Sequence, residues 1–278
     1  MRAGILHPGA MGASVAATLR ANGHEIAWCS VGRSAQSRAR AEAAALTEFQ
    51  ALEDLAAWAE LLISICPPAN ALAQAQAVHA CAFDGWYIDA NAVAPATAKE
   101  ISQLFGSAYV DGGIIGPPAW RPGTTRLYLS GVNAATIAGW FSQGPLQVIA
   151  MTDAANAEVA ASALKMAYAA YSKGHSALLL AANALAQNAG VLQALHHEWE
   201  LSMPGVVKRS VATAGAISPK AWRFVGEMEQ ISATFADHGL PGEFHAGAAQ
   251  FYALLAQFKD QPPADLAALL QVLSQPEE

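Results

Sequence analysis

The stretch Ala3–Ser34, AGILHPGAMGASVAATLRANGHEIAWCSVGRS, decides the architecture. Ala3 to Leu6 is a short apolar run of the kind that forms a buried parallel strand. His7-Pro8-Gly9-Ala10-Met11-Gly12 is a turn with two glycines, and Ala13 to Asn22 repeats Val15 and Leu19 at helical spacing. Gly23 is placed to stop that helix, and Glu25 to Cys29 is a second strand. A glycine turn that opens a helix aims backbone N–H groups at one point, which the helix dipole makes electropositive. The pyrophosphate of a dinucleotide fits there, with Gly9 admitting the phosphates and Gly12 letting helix and strand approach. The turn departs from G-x-G-x-x-G in two ways: His7 stands for the first glycine, and Pro8 removes a backbone donor.

Composition limits the partners. The chain has 278 residues, 54% of them hydrophobic and only 13% charged, about half the usual charged share. So little polar cover implies an oligomer, at least a homodimer. A net charge of −7 argues against a nucleic-acid partner, which normally needs a basic stripe. There is no run of about 18 apolar residues to span a membrane. The chain enters a strand at once, with no leader-like segment. Cys29, Cys66 and Cys81 lack metal-like spacing and read as reduced thiols of a cytoplasmic protein. His196-His197-Glu198 lacks H-E-x-x-H, so no metal site is expected.

Past the second strand, an NAD site normally places an acid about 20 residues beyond the glycine turn. Here Cys29-Ser30 occupies that place, and Arg33, Ser34 and Arg38 follow. A cation with hydroxyls suits a ribose 2′-phosphate, so NADP is the expected cofactor, held by Ser30, Arg33 and Ser34. Leu46 to Ala57 reads as helical material. Leu61 to Cys66 is a buried strand stopped by Pro67-Pro68, and the three residues Cys66, Pro67 and Pro68 should edge the cofactor cleft. Asn70 to Cys81 is a helix. Trp86 to Asp89 is a strand, and Asn91 at its carboxyl end is an amide for nicotinamide or substrate, or else the maker of an Asx turn. Lys99 to Phe105 is helical, Ser107 to Asp111 is a strand, and Leu127–Ser130 and Leu146–Ala150 complete a sheet. This alternation predicts a doubly wound α/β domain over residues 1–152.

From Asp153 the composition turns alanine-rich and helical, and residues 153–278 read as an all-α domain for substrate and dimerisation. Its first helix should run from Ala154 to about Tyr171 and onward past Gly174. Glu158, Ser162, Lys165 and Ser172 form one polar stripe along it, with Tyr168 one turn from Lys165. Glu227 and His245 are candidates for the far wall of a cleft. Gly239 to Gly242 breaks the chain, Phe244 to Lys259 is a further helix, and Gln275 to Glu278 should be loose.

These motifs resemble the β-hydroxyacid dehydrogenase superfamily, the relatives of 3-hydroxyisobutyrate and 6-phosphogluconate dehydrogenase. Met11-Gly12, Gly23-His24 and Gly32-Arg33-Ser34 match its opening pattern, and Asp89 to Pro95 is similar to its D-x-S-T-x-x-P. Asp111 to Pro117 lines up with its substrate loop, but Ile115 stands at the substrate-binding serine, Pro117 replaces the second glycine, and Gly116 alone is kept. Ile114 to Pro118 looks like a subgroup with a poorly characterised helical C-terminal domain. Lys165 occupies the place of the family's catalytic lysine, with Tyr168 where an Asn or His would stand and Ala169 for the Asn that usually holds substrate.

The resemblance implies a Rossmann domain followed by an all-α domain, and NADP-dependent hydride transfer to or from a small hydroxyacid-like or related carbonyl substrate. Lys165 would be the general acid in reduction and the base in oxidation, with Tyr168 as a second donor. Asn91, Ile115, Gly116, Ser172, Glu227 and His245 would surround the substrate. Two alternatives stay open: an imine reductase with Tyr168 as proton donor, and a non-catalytic NADP-binding protein, for which Ile115 and Ala169 speak.

Overall fold

A computed structural model describes residues 1–154, 158–259, 261–263 and 265–274. The first strand, β1 (Arg2–Ile5), lies centrally in an eight-stranded sheet. The others are β2 (Glu25–Cys29), β3 (Thr47–Phe49), β4 (Leu61–Ser64), β5 (Trp86–Asp89), β6 (Tyr109–Ile115), β7 (Thr125–Ser130) and β8 (Leu146–Ala150). Their order is β3-β2-β1-β4-β5-β6-β7-β8. All neighbours pair in parallel except β6 and β7. Order reverses at β1, where one half winds outward through β2 and the other through β4. This is the doubly wound topology expected from the alternating pattern.

Strands buried on both faces need two helical layers. One layer is α1 (Ala10–Ala21), α2 (Ala35–Ala43) and α6 (Ala134–Ala138). Val15, Leu19 and Ile137 from it pack on Ile5, Ile63, Ile88, Val110 and Leu127. The other is α3 (Leu52–Trp58), α4 (Ala71–Ala80) and α5 (Pro95–Phe105), whose Leu55, Val78 and Ile101 pack on Leu62, Tyr87 and Tyr109. Each fully buried Leu, Ile or Val contributes about 1.5–3 kcal/mol, so alternating residues of each strand glue both layers. α1 stops as expected: Gly23, at φ +79°, takes the left-handed conformation that ends a helix cheaply.

Three expectations needed correction. Leu46 to Ala57 is not one helical stretch: Thr47–Phe49 pairs with β2 as an edge strand, and α3 begins only at Leu52. The strand expected to end at Asp111 runs on through Gly112-Gly113 to Ile115, with all seven residues of β6 buried. Glycine is required there by close approach. A Cβ on Gly112 would lie 3.0 Å from the Asp89 carbonyl oxygen, and one on Gly113 would lie 2.5 Å from that of Ala161. The long helix, α7 (Ala160–Asn188), begins at Ala160 rather than at the expected Ala154, and it runs on past Gly174 as expected.

By backbone proximity the chain forms two compact units, Met1–Met166 and Ala167–Glu278. The first turns of α7 belong to the first unit. The second is helical: the remainder of α7, α8 (Leu192–Ser202), α9 (Val206–Ile217), α10 (Ala221–Asp237), α11 (Glu243–Leu254) and α12 (Leu266–Leu273). α10 and α11 pack on each other across the Gly239–Gly242 break. The helix expected over Phe244–Lys259 is α11 followed by a 3-10 turn at Ala256–Lys259. The tail expected to be loose, 275–278, lies outside the described residues.

Candidate functional site

The glycine turn lies at the carboxyl end of β1. The Gly9 amide bonds the His7 carbonyl (2.8 Å), and the Ala13 amide bonds the Gly9 carbonyl (2.9 Å). The first-turn amides between them, at Ala10, Met11 and Gly12, have no side-chain cap, and no acid sits in the first turn. A Cβ on Gly12 would meet the His7 carbonyl oxygen at 2.1 Å, whereas one on Gly9 would meet nothing within 4 Å. Gly12 therefore closes helix against strand, and Gly9 leaves an open approach to the amides. Pro8 is buried beneath the turn. The Ser14 hydroxyl donates to the Met11 carbonyl and accepts the Ala119 amide, tying the loop after β6 to α1.

Two polar atoms beside this turn are buried without partners: His7 Nδ1 and Arg33 Nε. Burial, with the Arg33 charge nearby, lowers the His7 pKa to about 4, so the ring is neutral. Arg33 is itself half-buried, and burial lowers its pKa from the ordinary value. Unsatisfied buried donors cost about 1–3 kcal/mol each, and an anionic ligand would relieve that cost. The other expected 2′-phosphate residues differ. Ser34 caps α2, accepting the Ser37 amide at 3.2 Å, and is exposed. Ser30 is fully buried, its hydroxyl 3.5 Å from Gln50 Oε1. Arg38 is committed to Glu48 (2.9 Å) and the Ser30 carbonyl (3.1 Å). Of Arg33 and Arg38, Arg33 is thus the one left for a ligand.

At the ends of β4 and β5, Asn91 is occupied within the fold. Its Oδ1 accepts the Cys66 amide (2.5 Å), its Nδ2 donates to Ser64 Oγ (3.0 Å), and its amide donates to Asp89 Oδ1 (2.9 Å). The Asx turn here is made by Asp89, whose carboxylate accepts the amide two residues on, and not by Asn91. Asn91 stitches two strand ends and is 3% exposed. Cys66 follows the carboxyl end of β4, and burial pushes its thiol up to about 11, so it stays protonated. Pro67 is extended and Pro68 opens a one-turn 3-10 helix, making a rigid rim.

The third cluster joins β6, β7 and α7. Asp111 accepts the Ser162 amide (2.8 Å), the Ser162 hydroxyl (2.5 Å) and the Ser130 hydroxyl (3.0 Å), while Ser130 Oγ accepts the Ala161 amide (3.0 Å). A buried carboxylate and a hydroxyl thereby cap the orphan amides of α7. One turn on, Lys165 Nζ donates to the Ile114 carbonyl at 2.7 Å. Asp111 and Ile114 are three residues apart on β6, as Ser162 and Lys165 are on α7, so strand and helix are fixed at two points. Ile115 is buried and Gly116 turns the chain at φ +129°. Burial is also the first cause that raises Asp89 to about 7 and Asp111 to about 6, each facing the other across paired strands. Sequence reading missed both acids as site components. The signal was there: an aspartate stands in each of two consecutive apolar strands, where a carboxylate needs a partner.

In the second unit, Tyr168 is half exposed and Ser172 partly exposed. Glu227 is ion-paired with Lys173, which also lies 4.7 Å over the Phe224 ring. His245 is buried between Phe235 and Phe244, with Nδ1 unpartnered and its pKa lowered by burial. Glu227 and His245 thus occur in one helical body, but in separate environments.

Residues 186–255 match a family model described as "Domain of unknown function (DUF1932)". No curated protein matches the chain. Among solved structures, the conserved protein MTH1747 of unknown function, described as similar to 3-hydroxyacid dehydrogenases, is 23% identical with TM-score 0.68; the match covers 98% of this chain and 99% of that one. The 3-hydroxyisobutyrate dehydrogenase of Mycobacterium tuberculosis, solved with L-serine, is 18% identical with TM-score 0.69, covering 99% of both chains. A reductive aminase from Aspergillus terreus, in complex with NADPH4, cyclohexanone and allyl amine, is 18% identical with TM-score 0.54, covering 97% of this chain and 98% of that one. The likeness is one of fold, and it extends over the whole chain.

Proposed function

We propose that this chain, whose fold is that of the β-hydroxyacid dehydrogenase superfamily, is an NADP-dependent oxidoreductase that moves a hydride to or from a small carbonyl-class substrate. The observation that carries the reading is Lys165, whose ammonium is held on the Ile114 carbonyl at the carboxyl end of β6, in the unit that also presents the open glycine turn. The residues present fit a dinucleotide. The uncapped amides of Ala10, Met11 and Gly12 suit its pyrophosphate, and Arg33, with its buried Nε unpartnered, suits a 2′-phosphate. When bound, the nicotinamide supplies or accepts the hydride at C4.

The chain's own part is positioning and proton handling. Lys165 gives a proton to the substrate oxygen in reduction and takes it back in oxidation. A donor at that oxygen also stabilises the charge that develops there. The Asp111–Ser162 cap keeps the lysine's turn of α7 fixed against β6, so little ordering remains when substrate arrives. Pro67-Pro68 and the occupied Asn91 make a stiff wall for the cleft.

Imine reduction is the second reading. It is favoured by the buried, apolar Ile115 and Ala169 at places where the hydroxyacid enzymes resembled here carry hydroxyl and amide groups, and by the half-exposed Tyr168 one turn from Lys165. The reductive aminase shares the fold and was also solved with NADPH. The three cysteines are free, which fits the reducing cytoplasm. Titration with NADPH and NADH, then turnover assays with hydroxyacids, ketones and preformed imines, tests both readings. NADPH-dependent turnover of a hydroxyacid–ketoacid pair is expected. Turnover of imines alone moves the second reading ahead, and NADPH binding without any turnover leaves a binding protein.

A further inference from the structure

The ladder between β6 and β7 pairs Asp111 with Ser130, Gly113 with Tyr128, and Ile115 with Arg126. Residues opposite one another in an antiparallel ladder share a face. The α7 side is fixed by three contacts: Asp111 and Ser130 both reach the first amides of α7, and a Cβ on Gly113 would meet Lys165 Cβ at 3.3 Å. β7 confirms the alternation. Leu127 and Leu129 are fully buried in the opposite layer, while Tyr128 and Arg126 are half-buried. Arg126 therefore stands on the same face as Lys165, at the carboxyl edge of the sheet, beside Ile115. Among the described residues its side chain has no hydrogen bond, ion pair or ring contact.

We infer that Arg126 holds an anionic oxygen group of the substrate next to Lys165, taking over a task that the buried Ile115 side chain has no donor to perform. The inference rests on the oxidoreductase reading for the word substrate, but not for the anion site itself. A guanidinium offers two parallel N–H donors to a carboxylate or a phosphoryl group, and half-burial strengthens such a pair relative to a solvated one. With Lys165 on the reacting oxygen and Arg126 on the anion, the substrate is gripped at two points. The ketone or imine between them is then oriented without the hydroxyl and amide that Ile115 and Ala169 displace.

The test is calorimetric titration of the full chain, saturated with NADP+, with sodium malonate and separately with sodium phosphate. Wild type should bind one of the two at millimolar concentration. Malonate preference assigns a carboxylate, and phosphate preference a phosphoryl group. Arg126→Gln should weaken that binding at least tenfold, and Arg126→Lys should restore part of it. Absence of binding by both anions in wild type, or equal binding by wild type and Arg126→Gln, overturns the inference. NADPH titration of the same samples by fluorescence reads the cofactor proposal separately. Arg126-dependent anion binding without NADPH binding would keep the anion site and remove the oxidoreductase reading.

Discussion

Lys165 and the two buried aspartates show how single groups set the chemistry. Lys165→Met keeps the side-chain length and removes the proton, so kcat should fall by about 10²–10⁴-fold while NADPH affinity changes by less than about threefold. Tyr168→Phe should cost about tenfold if the tyrosine only orients substrate. Kinetics paired with cofactor titration decides, and the opposite ranking would make Tyr168 the donor. Arg33→Ala removes a charge-assisted contact worth about 1.5–3 kcal/mol, so NADPH should bind roughly ten- to a hundredfold more weakly and NADH almost as before. Equal wild-type affinity for both cofactors would refute the preference. Asp89 acts in the opposite sense. Its folded pKa, about 7, lies above the ordinary carboxylate value because burial disfavours the charge. Such a group stabilises the fold fully only below the unfolded pKa, and that contribution is lost as pH rises through about 7. Asp89→Asn should therefore raise the urea midpoint at pH 8, by an amount on the order of a few kcal/mol in stability, and the gain should vanish near pH 4. A variant destabilised at pH 8 would show that the ionised acid is required.

At the scale of elements, the glycines divide by what surrounds them. Gly12→Ala drives a methyl into the His7 carbonyl, so it should destabilise the fold by several kcal/mol and impair everything downstream. Gly9→Ala meets open space at an allowed φ of −69°, so thermal stability should hardly move while NADPH affinity drops, because the methyl occupies the phosphate approach. Melting curves and cofactor titrations of the two variants should thus separate; a Gly9 variant that binds NADPH normally would remove the turn from the cofactor site. This contrast also marks what sequence could show. The βαβ opening was legible because apolar runs, glycine stops and helical spacing are local signals. β6 was only half legible: Gly112-Gly113 looks like a loop until Ala90 and α7 are seen pressing on it. β3 was hidden because its three residues, Thr-Glu-Phe, are edge-exposed and carry no buried run. Asn91 was placed correctly at its strand end, but its carboxamide is consumed by Cys66 and Ser64, partners that meet it only in three dimensions.

At the scale of the whole molecule, the low charge content has a definite address. Of fourteen large apolar residues exposed among the described residues, only Val31, Trp120 and Val132 precede residue 167. The remainder lie in the helical unit, where Tyr171, Leu178 and Leu185 follow one another at seven-residue intervals on α7. A seven-residue apolar repeat makes a straight seam along a helix, the pattern by which one helix packs on another. At 1.5 Å per residue, the 29 residues of α7 span roughly 43 Å, long enough to contribute a large share of the 1,200–2,000 Å² that stable interfaces bury. Water is a poor partner for that seam, and no charged residue interrupts it between Lys173 and Asn188. The chain should therefore be a dimer, or a multiple of one, with α7 in the interface. Light scattering at micromolar concentration should give at least twice the 28.9 kDa chain mass. Leu178→Glu with Leu185→Glu, both exposed in the single chain and so harmless to its fold, should shift the particle to monomer while leaving its helical content unchanged. A wild-type monomer, or an assembly indifferent to both substitutions, would take α7 out of the interface.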